Sequence, residues 1–352
     1  MARVLVGVDI GTTSVRGAEL SLGGSMPSVL RIAQVPISPG AVENGEVRNV
    51  EEVTEAVREL WRRGGFKSRQ VTLGVGNQRV VVREVTVPTL PEKELRQSLP
   101  FQVQELIPIP MEEAVLDFDV LEEIEEEGRK MSRLLVVAAQ REMIETHLRT
   151  VTGAKLDPVG VDLVPFALVR AIGEWEGLGL GETDAGGEAV VDVGADVTNI
   201  CVHERGVPRF VRILPSGGND VTGALAVALG ISQEDAEIFK RGGPLSGQAP
   251  SDDARRTLQQ RSGALVDEIR SSLDFYRAQT PGAQVSRVLV SGGGSKMPGF
   301  VELLGQRIGV PTDRGHAFAK VKVQVALSEA DLVEAEPLLA VAIGLALPEE
   351  GS

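Results

Sequence analysis

The chain has 352 residues, 42% of them hydrophobic, a formal net charge of −14 and a single cysteine. That length predicts about two domains with ample cores, and the acidic balance argues against nucleic acid or an anionic membrane surface, which need clustered Lys and Arg. One cysteine excludes an intrachain disulfide and argues against structural zinc; with no signal-like N-terminus and no apolar stretch longer than Leu338–Leu347, a cytoplasmic protein without direct membrane insertion is expected.

In chain order, residues 4–37 read as three strands: the first ends on Asp9, Gly11 reverses the chain, and Val15–Leu20 returns. Asn49 caps a predicted helix to Arg63, with Val50, Val53, Val57, Leu60 and Trp61 at helical spacing and Gly64-Gly65 closing it. Strands Val71–Val75 and Arg79–Val87 follow; their Gly74 and Gly76 lack the third glycine of a dinucleotide fingerprint. Pro91–Leu106 is predicted helical, with Leu95, Leu99, Val103 and Leu106 on one face and a kink at Pro100, and runs into extended Ile107-Pro-Ile-Pro110. Ala114–Leu121 and Arg133–Ala139 read as strands joined by an acidic loop, Glu122–Lys130, either a solvated tip or a recognition patch. Helices Arg141–Thr152 and Pro165–Glu174 flank Pro158–Asp162, and Gly177–Gly187 reads as a crossing between halves.

Beyond the crossing the plan repeats. Val190–His203, VVDVGADVTNICVH, has the order of Val6–Leu20, VGVDIGTTSVRGAEL, and one offset carries Asp9 onto Asp192 and Gly11 onto Gly194. Two related halves are expected, their acids and turns converging on one cleft. Such a cleft suits a polyphosphate with Mg²⁺: Gly11, Thr12, Thr13 and Gly194 offer amides and hydroxyls, while Asp9 and Asp192 hold the ion through its water. Turn-capping carboxylates are the alternative reading of both acids. Then follow helices Asp220–Leu229 and Gln233–Lys240, the second capped by Ser232, a Gly-, Pro- and Ser-rich loop Arg241–Asp253, and helix Arg255–Gln279. Strand Val285–Ser291 delivers a glycine cluster, and Pro337–Leu347 reads as a closing helix on the first half. Cys201, in an apolar run, reads as a buried inert thiol.

The two hairpins resemble the phosphate motifs of the actin, Hsp70 and sugar-kinase superfamily. Gly217–Lys240, GGNDVTGALAVALGISQEDAEIFK, is similar to the segment after the second phosphate motif of bacterial actin-like proteins, and Val288–Phe300, VLVSGGGSKMPGF, looks like their adenosine motif. Val87–Leu121, VPTLPEKELRQSLPFQVQELIPIPMEEAVLDFDVL, looks like the PilM family of type IV pilus machines, and the likeness covers nearly the whole chain in order. It implies an α/β, actin-like (ribonuclease H-like) two-lobed fold with an FtsA/PilM-type insertion subdomain. The implied division is 1–77 with 156–185 and 333–352 as the first lobe and 78–155 as the insertion. Residues 186–217 with 285–332 would form the second lobe core, and 218–284 its outer part.

The resemblance further implies ATP and Mg²⁺ as ligands, with turnover slow or absent. Arg16 falls where the superfamily often keeps a phosphate-contacting Lys. Glu237 and Lys240 resemble the pair that contacts ribose and adenine, against a plain surface ion pair. Gly292, Gly293, Gly294 and Ser295 would let backbone approach the α-phosphate and the adenine plane, with Met297 on the base or simply in the core. Asp162 positions water for hydrolysis, or only opens the following helix. The implied partner is the cytoplasmic N-terminal segment of a PilN-like inner-membrane protein, with self-association also in view. An FtsA-like filament protein would carry a C-terminal basic amphipathic helix where this sequence reads LPEEGS, and a small-molecule kinase would need a sugar-binding subdomain with a catalytic Asp.

Overall fold

The computed structural model describes residues 3–126, 128–173, 186–244, 251–280 and 282–348; most of the expected crossing, and residues 245–250 of the expected loop, lie outside them. The first sheet grows from β1 (Val4–Ile10), buried along nearly its whole length, which pairs antiparallel with β2 (Ser14–Ser21) and through it with β3 (Ser28–Pro36). A small hairpin of β4 (Val42–Glu43) and β5 (Glu46–Val47) leads to α1 (Val50–Gly64). Asn49 accepts from the Glu52 amide and Gly65 closes α1 in the left-handed conformation, as the caps predict. β6 (Gln70–Val75) returns parallel beside β1.

The chain then leaves this sheet. β7 (Val80–Pro88), α2 (Glu92–Val103), β8 (Ala114–Glu126) and β9 (Arg129–Gln140) form a separate unit with strand order β7-β9-β8, before α3 (Arg141–Gly153) and β10 (Asp157–Leu163) rejoin the first sheet. The expected acidic loop is mostly strand: cross-strand pairing continues to Glu126 opposite Arg129, because Arg133 and Lys130 lie across from the glutamates and relieve their repulsion. α2 runs on through Pro100 and ends at Val103. Leu95, Leu99 and Val103 are buried with Ile107 and Ile109, whereas Leu106 is 52% exposed; the helix stops before Leu106 can join the row. α3, expected in the insertion, sends Val151 into the first-lobe core beside α1.

After α4 (Val164–Ile172) the second sheet repeats the first. β11 (Gly187–Val193), β12 (Thr198–Glu204) and β13 (Val207–Leu214) form the antiparallel meander. The helices α5 (Gly218–Leu229), α6 (Gln233–Lys240) and α7 (Asp252–Gln279) follow. α7 starts earlier than its apolar pattern implies because Ser251 caps it. β14 (Val285–Ser291) runs parallel to β11, and a 3-10 turn (Gly293–Lys296), α8 (Phe300–Ile308), β15 (Thr312–Arg314), β16 (Lys322–Val323) and α9 (Glu329–Ala346) complete the chain. The orders β10-β6-β1-β2-β3-β16 and β13-β12-β11-β14-β15 hold the same arrangement, a hairpin meander on one side of the central strand and parallel strands on the other. This is the actin-like two-lobed architecture.

Two helices join the lobes. α4, apolar but for Arg170, and the second half of α9, apolar all round as a helix buried on every side is, pack together with Ala18, Leu20 and Val29 of the first sheet and Val190, Cys201 and Leu289 of the second. α9 thus begins well before Pro337 and touches both lobes rather than only the first. The approach is close enough to demand glycine: a Cβ on Gly344 would collide with the Ala167 carbonyl oxygen of α4, and one on Gly7 of β1 with the Ala342 carbonyl oxygen of α9. Gly344→Ala should therefore destabilise the protein by about 3 kcal/mol, whereas Phe101→Ser, at a 76% exposed position, should change stability by less than about 0.5 kcal/mol. Urea unfolding of both variants checks this, and a Gly344→Ala chain of wild-type stability would mean that the helices can part at no cost.

Candidate functional site

Each central strand carries its acid to the end that faces the cleft. In β1–β2, Asp9 lies opposite Arg16; in β11–β12, Asp192 lies opposite Asn199. Arg16 and Asn199 are thus equivalent positions of the two halves, a correspondence hidden by their different chemistry. Arg16 donates from Nη1 to Asp9 Oδ2 at 2.9 Å. The Arg16 Nε and the Asn199 Oδ1 are both buried and have no hydrogen-bond partner among the described residues. Two unsatisfied buried polar atoms at matched places are costly in a closed interior, and they favour a polar ligand.

The turns are tight. The Gly11 amide bonds the Ser14 carbonyl at 3.1 Å and the Gly194 amide the Val197 carbonyl at 2.9 Å. Thr12 is partly exposed and Thr13 exposed at the first turn. A side chain at Gly194 would stand 2.7 Å from the Val197 carbonyl oxygen. The second hairpin also organises its neighbours, for its Gly194 and Ala195 carbonyls accept from the Gly218 and Asn219 amides in the first turn of α5. The glycine cluster after β14 sits beside Asp192. Gly292, with φ of 82°, would place a Cβ 2.6 Å from Asp192 Oδ1, so only glycine allows that carboxylate its position. Gly293 begins the 3-10 turn, Gly294 presses on Val193, and Ser295 is buried with its hydroxyl donating to the Gly292 carbonyl. Met297 is 2% exposed within the second-lobe core and packs there.

On the outer side of this lobe, Glu237 and Lys240 are 2.6 Å apart, but neither is a simple surface ion. Lys240 is buried and donates to the Gly218 carbonyl and the Thr222 hydroxyl; Glu237 accepts from Thr222 and Arg241. Burial lowers the Lys240 pKa against the pull of Glu237. Burial pushes Glu237 the other way, yet the hydrogen bonds from Lys240 and Thr222 outweigh it and hold its pKa low. α5 and α6 thus fix a charged pair beside the second hairpin. Asp162 is placed differently. It ends β10, two strands from β1; one oxygen accepts from the Leu163 amide and the other is bonded by Arg170 of α4, whose Nε reaches the Gly344 carbonyl. With both oxygens engaged Asp162 is a clamp on the α4–α9 junction, and its geometry does not favour the water-positioning expectation. Cys201 is fully buried, and burial raises its thiol pKa.

Sequence reasoning missed a further hairpin. Asn44 and Gly45 both have positive φ, 49° and 74°, in a two-residue turn between Glu43 and Glu46. Asn-Gly is the usual signal for that turn, obscured here because each flanking strand has only two residues. Among the described residues no three His, Cys, Asp or Glu side chains cluster to cage a metal, and no helix is long and apolar enough to cross a membrane.

A protein-family model described as Type IV pilus assembly protein PilM matches residues 7–350. The structure of a PilM-PilN type IV pilus biogenesis complex superposes with a TM-score of 0.83 at 28% identity, covering 97% of both chains. The ethanolamine utilization protein EutJ from Carboxydothermus hydrogenoformans, at 20% identity and TM-score 0.56 over 99% of this chain and 90% of its own, shares the fold. So does MreB 5 of Spiroplasma citri bound to AMPPNP, at 13% and 0.54 over 98% and 95%. Among sequence relatives, the cell division protein FtsA of Bacillus subtilis is 22% identical over 338 residues, spanning 85% of this chain and 75% of the relative.

The charges of the cleft make stability depend on pH. Burial, and then the charge of Asp9, push the Asp192 pKa up to about 7, with Arg16 offsetting part of the effect. A carboxyl raised on folding stabilises the fold while protonated; the contribution is complete below the unfolded value of about 3.9 and is lost as pH rises through about 7. The ligand-free protein should therefore lose stability between about pH 4 and 7. Asp192→Asn should flatten that slope and raise the melting temperature at pH 8 by roughly 2–5 °C. Calorimetric scans at about pH 4 and 8 check it, and an unchanged slope in the variant would remove Asp192 as its source.

Proposed function

The chain belongs to the type IV pilus assembly protein PilM family, and from that premise we propose that this actin-like protein holds Mg·ATP between its two hairpins and docks the cytoplasmic N-terminal segment of a PilN-like membrane protein. The observation that carries the nucleotide half of this reading is the matched pair of hairpins, each with an acid at its strand end and an unsatisfied buried polar atom opposite. A bound cation would neutralise phosphate charge. In this reading Asp9 and Asp192 orient its water shell, and Asp192 is relieved of the repulsion that raises its pKa. Arg16 turns its fork from Asp9 to a phosphate oxygen, while Gly11, Thr12, Thr13 and Gly194 supply amides and hydroxyls. Glu237 and Lys240 face the ribose and base, and Gly292, Gly293, Gly294 and Ser295 let the backbone approach the nucleotide.

Nucleotide is a structural ligand in this account. It stabilises the closed pair of lobes by binding the folded state alone, with slow turnover at most. The partner half is supported by likeness over nearly the whole chain to the PilM of a PilM-PilN complex. An extended segment between the first lobe and the β7–β9–β8 unit would gain specificity from side-chain pockets and affinity from backbone bonds, and would tether the protein to the cytoplasmic face of the inner membrane.

Asp9→Ala and Asp192→Ala should each weaken Mg·ATP binding at least tenfold in calorimetry, with a smaller loss in EDTA, since both acids act through one ion. Unchanged affinity in both would remove the assignment. Glu237→Ala should cost roughly 0.5–1.5 kcal/mol of ATP affinity, as one hydrogen bond does. Deleting residues 78–139, which spares α3, should abolish capture of a synthetic PilN N-terminal peptide while some ATP binding survives. A folded deletion chain that still captures the peptide would move the partner site elsewhere.

A further inference from the structure

The second hairpin makes a contact that phosphate binding does not require. Asp196 stands in the turn closed by the Gly194 to Val197 hydrogen bond, and its carboxylate reaches across the cleft to the first lobe, where Oδ2 accepts from the Asn44 backbone amide at 3.2 Å. Its other oxygen accepts from Asn219 of α5 at 2.7 Å. One carboxylate thus links the two lobes and the outer helix of the second.

The contact continues away from the cleft. Asn44 belongs to the Asn44-Gly45 turn, stiff because both residues are committed to positive φ. The Gly45 carbonyl accepts from the Asn77 side chain at 3.0 Å, and the Asn77 oxygen accepts from the Arg79 amide at 2.9 Å. Asn77 is 1% exposed, at the point where the chain leaves the first sheet for β7. A Cβ on Gly45 would stand 3.0 Å from Asn77, and one on Gly76 would stand 2.7 Å from the Asn199 oxygen, so the turn, the Gly76-Asn77 segment and the second hairpin are packed without slack. Arg79 then bonds Glu46 at 2.6 Å and Gln140, at the end of β9, at 2.7 Å. Glu46, Arg48, Arg79, Glu142 and His147 line a cavity of about 120 Å³ between the small hairpin and α3.

We propose that Asp196 and the Asn44-Gly45 turn form a latch that transmits nucleotide occupancy to the junction between the first lobe and the β7–β9–β8 unit. This rests on the nucleotide reading above. An anion held at Gly194 fixes a turn in which Asp196 is only two residues away. Its carboxylate then holds the Asn44 amide, and through Gly45, Asn77 and Arg79 sets the wall of the cavity. The bistable element is the interlobe contact itself: Asn44 is bonded to Asp196 when the lobes are closed and solvated when they part. Because linkage is reciprocal, a ligand bound at the junction would in turn favour the closed cleft.

Hydrogen exchange followed by mass spectrometry tests this on the full chain, with Mg²⁺ and a non-hydrolysable ATP analogue as probe. In the wild type the analogue should slow exchange at both phosphate hairpins and also at residues 41–49 and 140–147. In Asp196→Ala, at a solvent-accessible site, the hairpins should keep their protection while residues 41–49 and 140–147 lose theirs by at least threefold. Asn77→Asp, which keeps the acceptor for Arg79 but loses the donor to Gly45, should retain protection at 41–49 and lose it at 140–147. Protection of the hairpins without these segments in the wild type, or undiminished protection of them in Asp196→Ala, would overturn the latch alone. No protection of the hairpins in the wild type would overturn the nucleotide reading and the latch with it.

Discussion

The close contact of α4 with α9 is the constraint on which the cleft depends. Two sheets of like topology could face one another in many ways. Here they share one pair of apolar helices, brought together by the absence of a side chain at Gly344 and seated on β1 by its absence at Gly7. Arg170 locks the seam from the side by joining Asp162 at the end of β10 to the Gly344 carbonyl. Since every central strand ends toward the same gap, fixing the helices also fixes the distance between the two hairpins. Side-chain volume at two positions therefore governs a site to which neither residue contributes an atom.

That site is charged at a cost to the fold. Asp9 is balanced by Arg16, but Asp192 has no comparable cation among the described residues and feels the Asp9 charge. A second cation at the place Asn199 occupies would relieve the repulsion, yet the chain keeps an amide there whose oxygen has no partner among the described residues. A local conflict with folding that persists at a cleft is the mark of a site shaped for something other than stability.

Much of this was legible in the sequence, and the limits have physical causes. Buried strands ending in Asp-x-Gly are local patterns, so both hairpins and the repeat of the two halves could be read. The caps at Asn49, Ser232 and Gly65 obey chemistry confined to a few residues. What depends on tertiary contact was not visible. Asp162 is captured by an arginine of the following helix, and α9 begins at Glu329, capped by Ser328, in a polar stretch whose helical character comes from its cap rather than from an apolar face. Leu106 continues the spacing of its row but lies beyond the end of α2, so periodicity alone placed it inside. Arg16 and Asn199 could be aligned by counting from their acids, but only the register places each across from its own acid.

The most direct measurement is a crystal structure of the full chain with Mg²⁺ and a non-hydrolysable ATP analogue. The account predicts phosphates between the Gly11–Thr13 turn and Gly194, a hydrated cation between Asp9 and Asp192, Arg16 turned toward a phosphate oxygen, and the ribose beside Glu237 and Lys240. A nucleotide bound elsewhere, or a cleft in which Arg16 stays on Asp9 and no cation lies between the two acids, would contradict it.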